Sequence, residues 1–281
     1  MQQLSSSESL QFSAENTAPR LFASSISTTI PPSTETPLIL QRTDEVNTVL
    51  RMISERQTNV VVLTGDPGAG KSTLASLLYH RLQLFGQMSS PVARHFVWLT
   101  LGPNATLPDV LAAILINLNM YRPDFFHLKP EQQIELLVEV LRRPQESAFM
   151  VLDQFEELLD QGAINRAPTG DGQVSTPQGL HKEWLIQRGA IPLFLRMLQK
   201  DIGASCLLLT CSTSLYGPEN FQETSVRSYL VSRMSMPEGV ALLLQRGVPG
   251  TSRQELSLVW QRCGGHTYAL VLFSTLFALC G

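Results

Sequence analysis

Residues 59–73, Asn-Val-Val-Val-Leu-Thr-Gly-Asp-Pro-Gly-Ala-Gly-Lys-Ser-Thr, decide the fold of this chain. The apolar run 60–63 is short, unbroken and rich in β-branched side chains, which is typical of a strand buried on both faces. A glycine-rich loop follows it, and residues 74–79 then have the spacing of a helix. The sequence therefore predicts a strand, a loop and a helix in that order.

The loop between this strand and this helix has the pattern of a phosphate-binding loop. Its glycines allow a tight bend that points consecutive N–H groups inward, toward a polyphosphate at the positive end of a helix dipole. Lys71 adds a mobile positive charge for the β- and γ-phosphates, and Ser72 offers a hydroxyl group to Mg²⁺. The predicted nucleotide-binding residues of the loop are Gly65, Asp66, Pro67, Gly68, Ala69, Gly70, Lys71, Ser72 and Thr73.

The composition is typical of a soluble globular protein, and the cysteines indicate a reducing compartment. The chain has 281 residues, of which 43% are hydrophobic and 16% charged, and its formal net charge is −3. This net charge does not indicate a basic surface that would bind nucleic acid or anionic lipid. The four cysteines lack metal spacing, and the N-terminus lacks the apolar core of a secretory signal. We therefore expect buried thiols and a cytoplasmic location.

A second chemical motif lies at residues 148–157, Ala-Phe-Met-Val-Leu-Asp-Gln-Phe-Glu-Glu. We expect its strand to lie beside the first strand, so that Asp153 orders Mg²⁺ through water opposite Ser72. A further carboxylate is needed to orient and deprotonate an attacking water. We predict Glu156 for this role, with Glu157 in reserve, because Gln154 cannot take a proton. The alternative is that both glutamates are simply the acidic start of a helix.

Several other segments carry predictions about organisation. Residues 1–36 are rich in Ser, Thr and Pro without an apolar period, which predicts a flexible tail or linker. Residues 161–182 predict a long loop that is either mobile or a contact surface. Helical spacing from Trp184 to Leu198 predicts a helix broken near Pro192, and residues 204–211 predict a further strand. Residues 268–280 are too short for a membrane span and predict a core helix.

The stretch 37–46, Pro-Leu-Ile-Leu-Gln-Arg-Thr-Asp-Glu-Val, adds a family resemblance. It resembles the motif that opens the nucleotide-binding module of STAND ATPases, the signal-transducing ATPases with numerous domains that include NB-ARC and NACHT modules. The resemblance implies that Leu40 and Arg42 lie beside the adenine, although Gln41 stands where glycine is usual. The alternative for Arg42 is an ordinary solvated surface residue.

Two later stretches extend the resemblance and also depart from it. In STAND proteins the strand corresponding to 204–211 ends in Thr followed by an Arg that senses the γ-phosphate, but Cys211 and Ser212 stand there. The hydroxyls of Thr210, Ser212 or Thr213 could contact phosphate or water instead, or bond nearby backbone. Residues 264–270, Gly-Gly-His-Thr-Tyr-Ala-Leu, are similar to the STAND motif Gly-x-Pro-Leu-Ala-Leu, which implies that Thr267 or Tyr268 supports the adenine. We expect His266 to be an ordinary helix-start residue.

The motifs together predict an α/β fold, a three-layer sandwich around a parallel P-loop NTPase sheet of about five strands, similar to the ASCE and AAA+ ATPases. A small helical subdomain follows, so the expected units are a tail (1–36), a nucleotide-binding domain (37–234) and a helical subdomain (235–281). The resemblance further implies that sensor and effector domains of a longer parent protein are missing here.

The expected function is an ATP/ADP switch in which slow, Mg²⁺-dependent hydrolysis gates self-association, in a setting of defence or cell-death signalling. One alternative is a module that uses nucleotide for assembly without hydrolysing it. A second alternative is a helper ATPase acting on nucleic acid, which the charge balance disfavours.

Overall fold

The structure is a computed structural model that describes residues 25–29, 42–55, 58–88, 93–160, 184–185, 190–200, 202–212, 215–216, 225–248 and 252–280. The strands are β1 (Ile26–Ser27), β2 (Val60–Thr64), β3 (His95–Leu101), β4 (Ala148–Asp153), β5 (Trp184–Leu185), β6 (Cys206–Cys211), β7 (Leu215–Tyr216) and β8 (Val226–Leu230). The α-helices are α1 (Thr43–Ser54), α2 (Lys71–Met88), α3 (Leu107–Asn117), α4 (Pro130–Arg142), α5 (Glu156–Asp160), α6 (Ala190–Lys200), α7 (Met236–Gln245), α8 (Arg253–Arg262) and α9 (Thr267–Cys280).

The main sheet has the strand order β1-β3-β4-β6-β2-β8 within the described residues. All neighbours from β3 to β8 run parallel, and only the short β1 runs antiparallel, to β3. The strands β5 and β7 form a separate parallel pair. The predicted α/β fold is therefore confirmed, and the five parallel strands are the sheet of about five strands that the sequence indicates.

The expected position of the Asp153 strand is wrong in one respect. Strand β4 does not lie beside β2, because β6 pairs with both of them and separates them. Helix α2, which begins directly after the glycine-rich loop, packs across β2, β6 and β4. Its first turn thus spans the intervening strand at the edge of the sheet where the parallel strands end.

Helices cover both faces of the sheet. Alternate residues of the strands point to opposite faces: Val60 and Val62 pack with α3, α4 and α6, whereas Val61 and Leu63 pack with α1 and α2. This makes three layers and explains why the strands are apolar on both faces. A third, smaller core lies among α7, α8 and α9, with Leu243 and Leu270 completely buried.

The helix starts agree with the sequence signals. The Thr106 hydroxyl accepts a bond from the Asp109 N–H at the start of α3, and Pro130 is the first residue of α4. At α7, Ser235 and Glu238 form a capping box, with the Ser235 N–H donating to Glu238 Oε2 at 2.9 Å. Such caps satisfy the N–H groups that a helix start leaves without partners.

Three elements differ from the predictions. Residues 26–27, inside the expected tail, form β1 against Leu101 and Thr100; the other tail residues and the expected loop 161–182 lie outside the described residues. Trp184 and Leu185, the expected start of a helix, form the strand β5. Helix α6 begins at Ala190 and is not broken by Pro192, because proline is tolerated in a first turn.

Helix α9 is not the core helix that its composition predicts. Leu270 and Ser274 are buried, but large apolar side chains elsewhere on the described helix are exposed, namely Tyr268, Leu272, Leu276, Phe277 and Leu279. Its apolar residues occur on all sides, whereas only one face meets α7. Among the described residues, no helix has the length and apolar character needed to cross a membrane.

Candidate functional site

The glycine-rich loop has a backbone that glycine alone adopts without strain. Gly68 and Gly70 have φ angles of +80° and +99°, in the left-handed region. A Cβ atom at Gly68 would lie 2.7 Å from Tyr268 Cβ, and one at Gly70 would lie 2.8 Å from Arg42 Nη1. The loop is therefore shaped by its glycines and closely packed from outside, as a backbone cradle for an anion requires.

Lys71 begins helix α2 and folds back over the loop. Its ammonium group donates to the carbonyl oxygens of Gly65 at 2.9 Å and Asp66 at 3.1 Å. Burial lowers the pKa of Lys71, and the nearby negative charge of Glu156 is the strongest influence that opposes this shift. The lysine thus brings a positive charge to a site that also contains carboxylates.

Ser72 and Asp153 come together at the edge of the sheet. The Ser72 hydroxyl donates to Asp153 Oδ1 at 2.7 Å, although the two residues are 81 positions apart. Thr210, at the end of the intervening strand β6, donates its hydroxyl to the same oxygen at 2.6 Å. Asp153 is thus placed beside the loop through both its own strand and β6. Thr73 follows in the first turn of α2.

The residues after Asp153 turn sharply. Gln154 has φ +64°, which is uncommon for a residue other than glycine, and its side chain is exposed. Phe155 is completely buried, and Glu156 is part-buried with its Oε2 atom inaccessible to solvent and without a hydrogen-bond partner. Glu157 is also part-buried. Of the carboxylates whose charge acts on Lys71, Glu156, two residues beyond the exposed Gln154, has the largest effect.

Arg42 is buried rather than solvated. It precedes α1 with φ 40°, and its guanidinium pairs with the carboxylate of Glu45. It also donates to the carbonyl oxygens of Ala69 and Ser232, each at 3.2 Å. Arg42 therefore connects the glycine-rich loop to α1 and to the segment that precedes α7. The alternative of an ordinary surface residue is wrong, and Leu40 lies outside the described residues.

The start of α9 lies against the outer side of the loop. His266 Nε2 is 2.8 Å from the Pro67 carbonyl, the Tyr268 N–H donates to the Gly68 carbonyl at 3.1 Å, and the Thr267 hydroxyl donates to the Ala69 carbonyl at 3.1 Å. Because a carbonyl only accepts, Nε2 carries the proton of the imidazole. His266 is thus both the residue before α9, as expected, and a contact of the loop. Thr267 and Tyr268 thus contact the glycine-rich loop, and their contact with an adenine stays a prediction.

Sequence reasoning missed Arg233. Its guanidinium pairs with Asp66 of the loop at 3.1 Å, and both side chains are 58% exposed. Arg233 lies three residues after β8, the strand that pairs with β2. A signal was available, because side chains just beyond the ends of neighbouring parallel strands meet at one edge of a sheet. Exposed pairs of this kind contribute little to stability.

The residues at this edge fit a magnesium-bound nucleotide. Mg²⁺ prefers oxygen ligands and is usually held by one or two carboxylates together with phosphate oxygens. A hydroxyl and a carboxylate in contact, Ser72 and Asp153, suit this arrangement, and the unpartnered Glu156 Oε2 leaves a buried acceptor nearby. No group of three or more His, Cys, Asp or Glu side chains within the described ranges could hold a metal without such a partner.

Sequence comparisons find a family model and a relative that resemble parts of this chain. A family model described as Nephrocystin 3, N-terminal, matches residues 40–167, less than half of the chain. An uncharacterized WD repeat-containing protein from Nostoc sp. is 23% identical over 239 residues, which are 83% of this chain and 17% of that protein. The chain thus spans a small part of this relative.

Two solved structures match this chain in fold. Drosophila ORC bound to DNA matches with a TM-score of 0.50 and 12% identity, over 99% of this chain and 65% of the other. The Aeropyrum pernix ORC2 protein, in ADPNP-ADP complexes, matches with a TM-score of 0.52 and 15% identity, over 87% and 62%. The chain therefore has a P-loop ATPase fold of the AAA+ type, and it spans less than two thirds of either structure.

Proposed function

We propose that this chain is the nucleotide-binding module of a STAND-type switch, which binds ATP or ADP with Mg²⁺ and hydrolyses ATP slowly. The observation that carries the proposal is the bond between Ser72 and Asp153 at the mouth of the glycine-rich loop. A loop hydroxyl and a strand-end carboxylate in contact are the two protein groups that a magnesium-bound triphosphate needs at this position.

The charges around the loop support a bound cation as well as an anion. Asp66, Asp153 and Glu156 all act on Lys71, and Asp66 also pairs with Arg233, so Asp153 and Glu156 still outnumber this ammonium group. A triphosphate alone would be repelled by these carboxylates, whereas Mg²⁺ would compensate them. Ser72 and Asp153 would hold the ion, and the bound ion would neutralise part of the phosphate charge.

Binding is tested with a fluorescent ATP analogue titrated in the presence and absence of Mg²⁺. We expect Lys71→Ala to weaken binding by about 10–100-fold, because a charge-assisted contact to phosphate is lost. The exposed Lys129→Ala is the matched control and should bind as the wild type does. Ser72→Ala should lose the effect of Mg²⁺, and Ser72→Thr should keep it. A wild-type chain that does not bind ATP or ADP would refute the proposal.

Hydrolysis is assigned to Glu156 as the group that orients and deprotonates water. Its buried, unpartnered Oε2 and its proximity to Lys71 support this role. We expect Glu156→Gln to lower the rate of phosphate release by about 10²–10⁴-fold. The neighbouring Glu157→Gln is the matched control and should release phosphate at the wild-type rate. Equal rates for Glu156→Gln and the wild type would remove Glu156 from this role.

A module that binds nucleotide without hydrolysing it is the second candidate. Cys211 and Ser212 stand where the resemblance calls for a hydroxyl and an arginine, and Cys211 is buried close to Lys71. Nucleotide binding together with no phosphate release above that of Lys71→Ala would favour this candidate.

The switch itself is proposed to act through the contacts between the loop and α9. Thr267, Tyr268 and His266 bond three consecutive loop carbonyls, so a loop that changes shape on binding would disturb the helical subdomain. We expect ATP and ADP to give different hydrodynamic radii or association states. Identical sedimentation with ATP, ADP and no nucleotide would argue against the switch while leaving binding intact.

A further inference from the structure

We propose that Thr210 is a positioning residue that fixes the turn after Asp153, so that Asp153 faces Ser72 and Glu156 faces the loop. The inference rests on the proposed function, since it concerns how the same site holds its two carboxylates. It assigns to Thr210 a role distinct from direct contact with phosphate.

Thr210 bonds three consecutive residues of the turn. Its hydroxyl donates to Asp153 Oδ1 at 2.6 Å and accepts from the Gln154 N–H at 2.9 Å. Its carbonyl accepts from the Phe155 N–H at 2.9 Å. Thr210 is 1% exposed, so these bonds are shielded from water. One residue of β6 thereby holds the whole segment that leaves β4.

The turn needs such support because Gln154 has a left-handed backbone. A residue other than glycine at φ +64° is strained, and this conformation persists only where its surroundings hold it. The bond from the Gln154 N–H to Thr210 is the contact that fixes it. The result is that Gln154 points to solvent, Phe155 enters the core, and Glu156 returns to the side of Lys71.

The hydroxyl of Thr210 has only one proton to donate. Asp153 Oδ1 accepts the hydrogen bond from this hydroxyl, and the Gln154 N–H donates to one of the hydroxyl's lone pairs. A hydrogen bond from Thr210 to a phosphate oxygen would therefore break the bond to Asp153. In the bound state Ser72 would turn toward Mg²⁺. Thr210 would then remain as a hydroxyl donor to the Asp153 carboxylate, whose orientation determines how well the ion is held.

The test compares Thr210→Val, which removes the hydroxyl at nearly constant shape, with Thr210→Ser, which keeps it. The probe is a fluorescent ATP analogue with Mg²⁺ titrated at fixed nucleotide. For Thr210→Val we expect the Mg²⁺ concentration at half-saturation to rise about 10–100-fold, the range found when a group that orients a metal ligand is lost. Metal-free ADP affinity should stay within about twofold, and Thr210→Ser should restore the Mg²⁺ dependence.

Hydrogen exchange of the Gln154 amide is the second readout. Thr210→Val should speed this exchange strongly, because the acceptor of that N–H is removed, whereas Thr210→Ser should not. A merely structural role for Thr210 would change stability without changing the Mg²⁺ dependence at constant ADP affinity. Should Thr210→Val fail to fold, Thr210→Ser and Thr210→Ala give the same comparison, since these two differ only in the hydroxyl.

The outcomes separate this inference from the proposed function. If the wild type binds nucleotide and Thr210→Val has the same Mg²⁺ dependence, the inference is overturned and the proposed function stands. If the wild type binds no nucleotide, the proposed function is overturned and the inference falls with it.

Discussion

Arg42 makes the sharpest stability prediction, because it is a buried charge that joins three parts of the molecule. Its guanidinium pairs with Glu45 in α1 and donates to the carbonyl oxygens of Ala69 and Ser232. The side chains of Arg42 and Glu45 are only 5% and 18% exposed. We therefore consider Arg42→Ala, which removes one partner and leaves the other carboxylate in place.

The expected cost follows from what is left behind. Removing one member of a buried ion pair costs about 3–5 kcal/mol, because an uncompensated charge stays buried. Glu45 keeps some contact with water, so the low end, about 3 kcal/mol, is appropriate. The loss of two bonds to carbonyls at 3.2 Å belongs to the same removal and is not added separately. At about 2–4 °C per kcal/mol, Tm should fall by about 6–12 °C.

Urea unfolding monitored by circular dichroism measures this cost, with Arg51→Ala as the control. Arg51 is an exposed arginine in the last turn of the same helix, and its removal should change the free energy of unfolding by less than about 0.5 kcal/mol. The double variant with Glu45→Ala should be less destabilised than the sum of its parts. A cost below about 1 kcal/mol for Arg42→Ala, or strictly additive effects, would refute the argument that this pair is buried and coupled.

Two further predictions concern the small core among α7, α8 and α9 and the dependence of stability on pH. A Cβ at Gly239 would lie 2.3 Å from Trp260 Cδ1, so Gly239→Ala should lower the free energy of unfolding by about 1–3 kcal/mol. The near-UV circular dichroism of Trp260 should change as well. Unchanged stability would contradict this packing. Burial raises the pKa of Glu45 despite the opposing charge of its arginine partner. Because the protonated form is favoured in the folded chain, the stabilisation from this group is present below its ordinary pKa of 4.5 and is lost as pH rises through the raised pKa. Wild-type stability should therefore fall relative to Glu45→Gln as pH rises from about 4 to 7, and parallel stability curves for the two proteins would show that Glu45 is not shifted.

The sequence predicted the parts of the fold that local rules determine. Hydrophobic period predicted the strands β2, β4 and β6 and the helix that follows the glycine-rich loop. The loop pattern also gave the segment that the structure shapes with left-handed glycines. Each of these depends on neighbours in the chain, so a single sequence contains the information.

Strand order and the environment of Arg42 could not be obtained in this way. The position of β6 between β4 and β2 depends on long crossover connections, which the apolar pattern of each strand does not encode. Likewise, Arg42 is buried because Ala69 and Ser232, distant in sequence, supply acceptors for its guanidinium. Burial of a charged residue follows from such partners and not from its own flanking residues.

The turn after Asp153 shows how a distant residue changes the meaning of a local motif. From spacing alone, Gln154 occupies the position next to the strand-end carboxylate, and either glutamate beyond it could supply the base. The bonds from Thr210 hold Gln154 in a left-handed conformation, so its side chain leaves the site while Phe155 fills the core. Glu156 then begins the following helix, and its charge acts on Lys71. The segment that leaves β4 is thus bonded by a residue of β6 that lies 57 positions later in the chain.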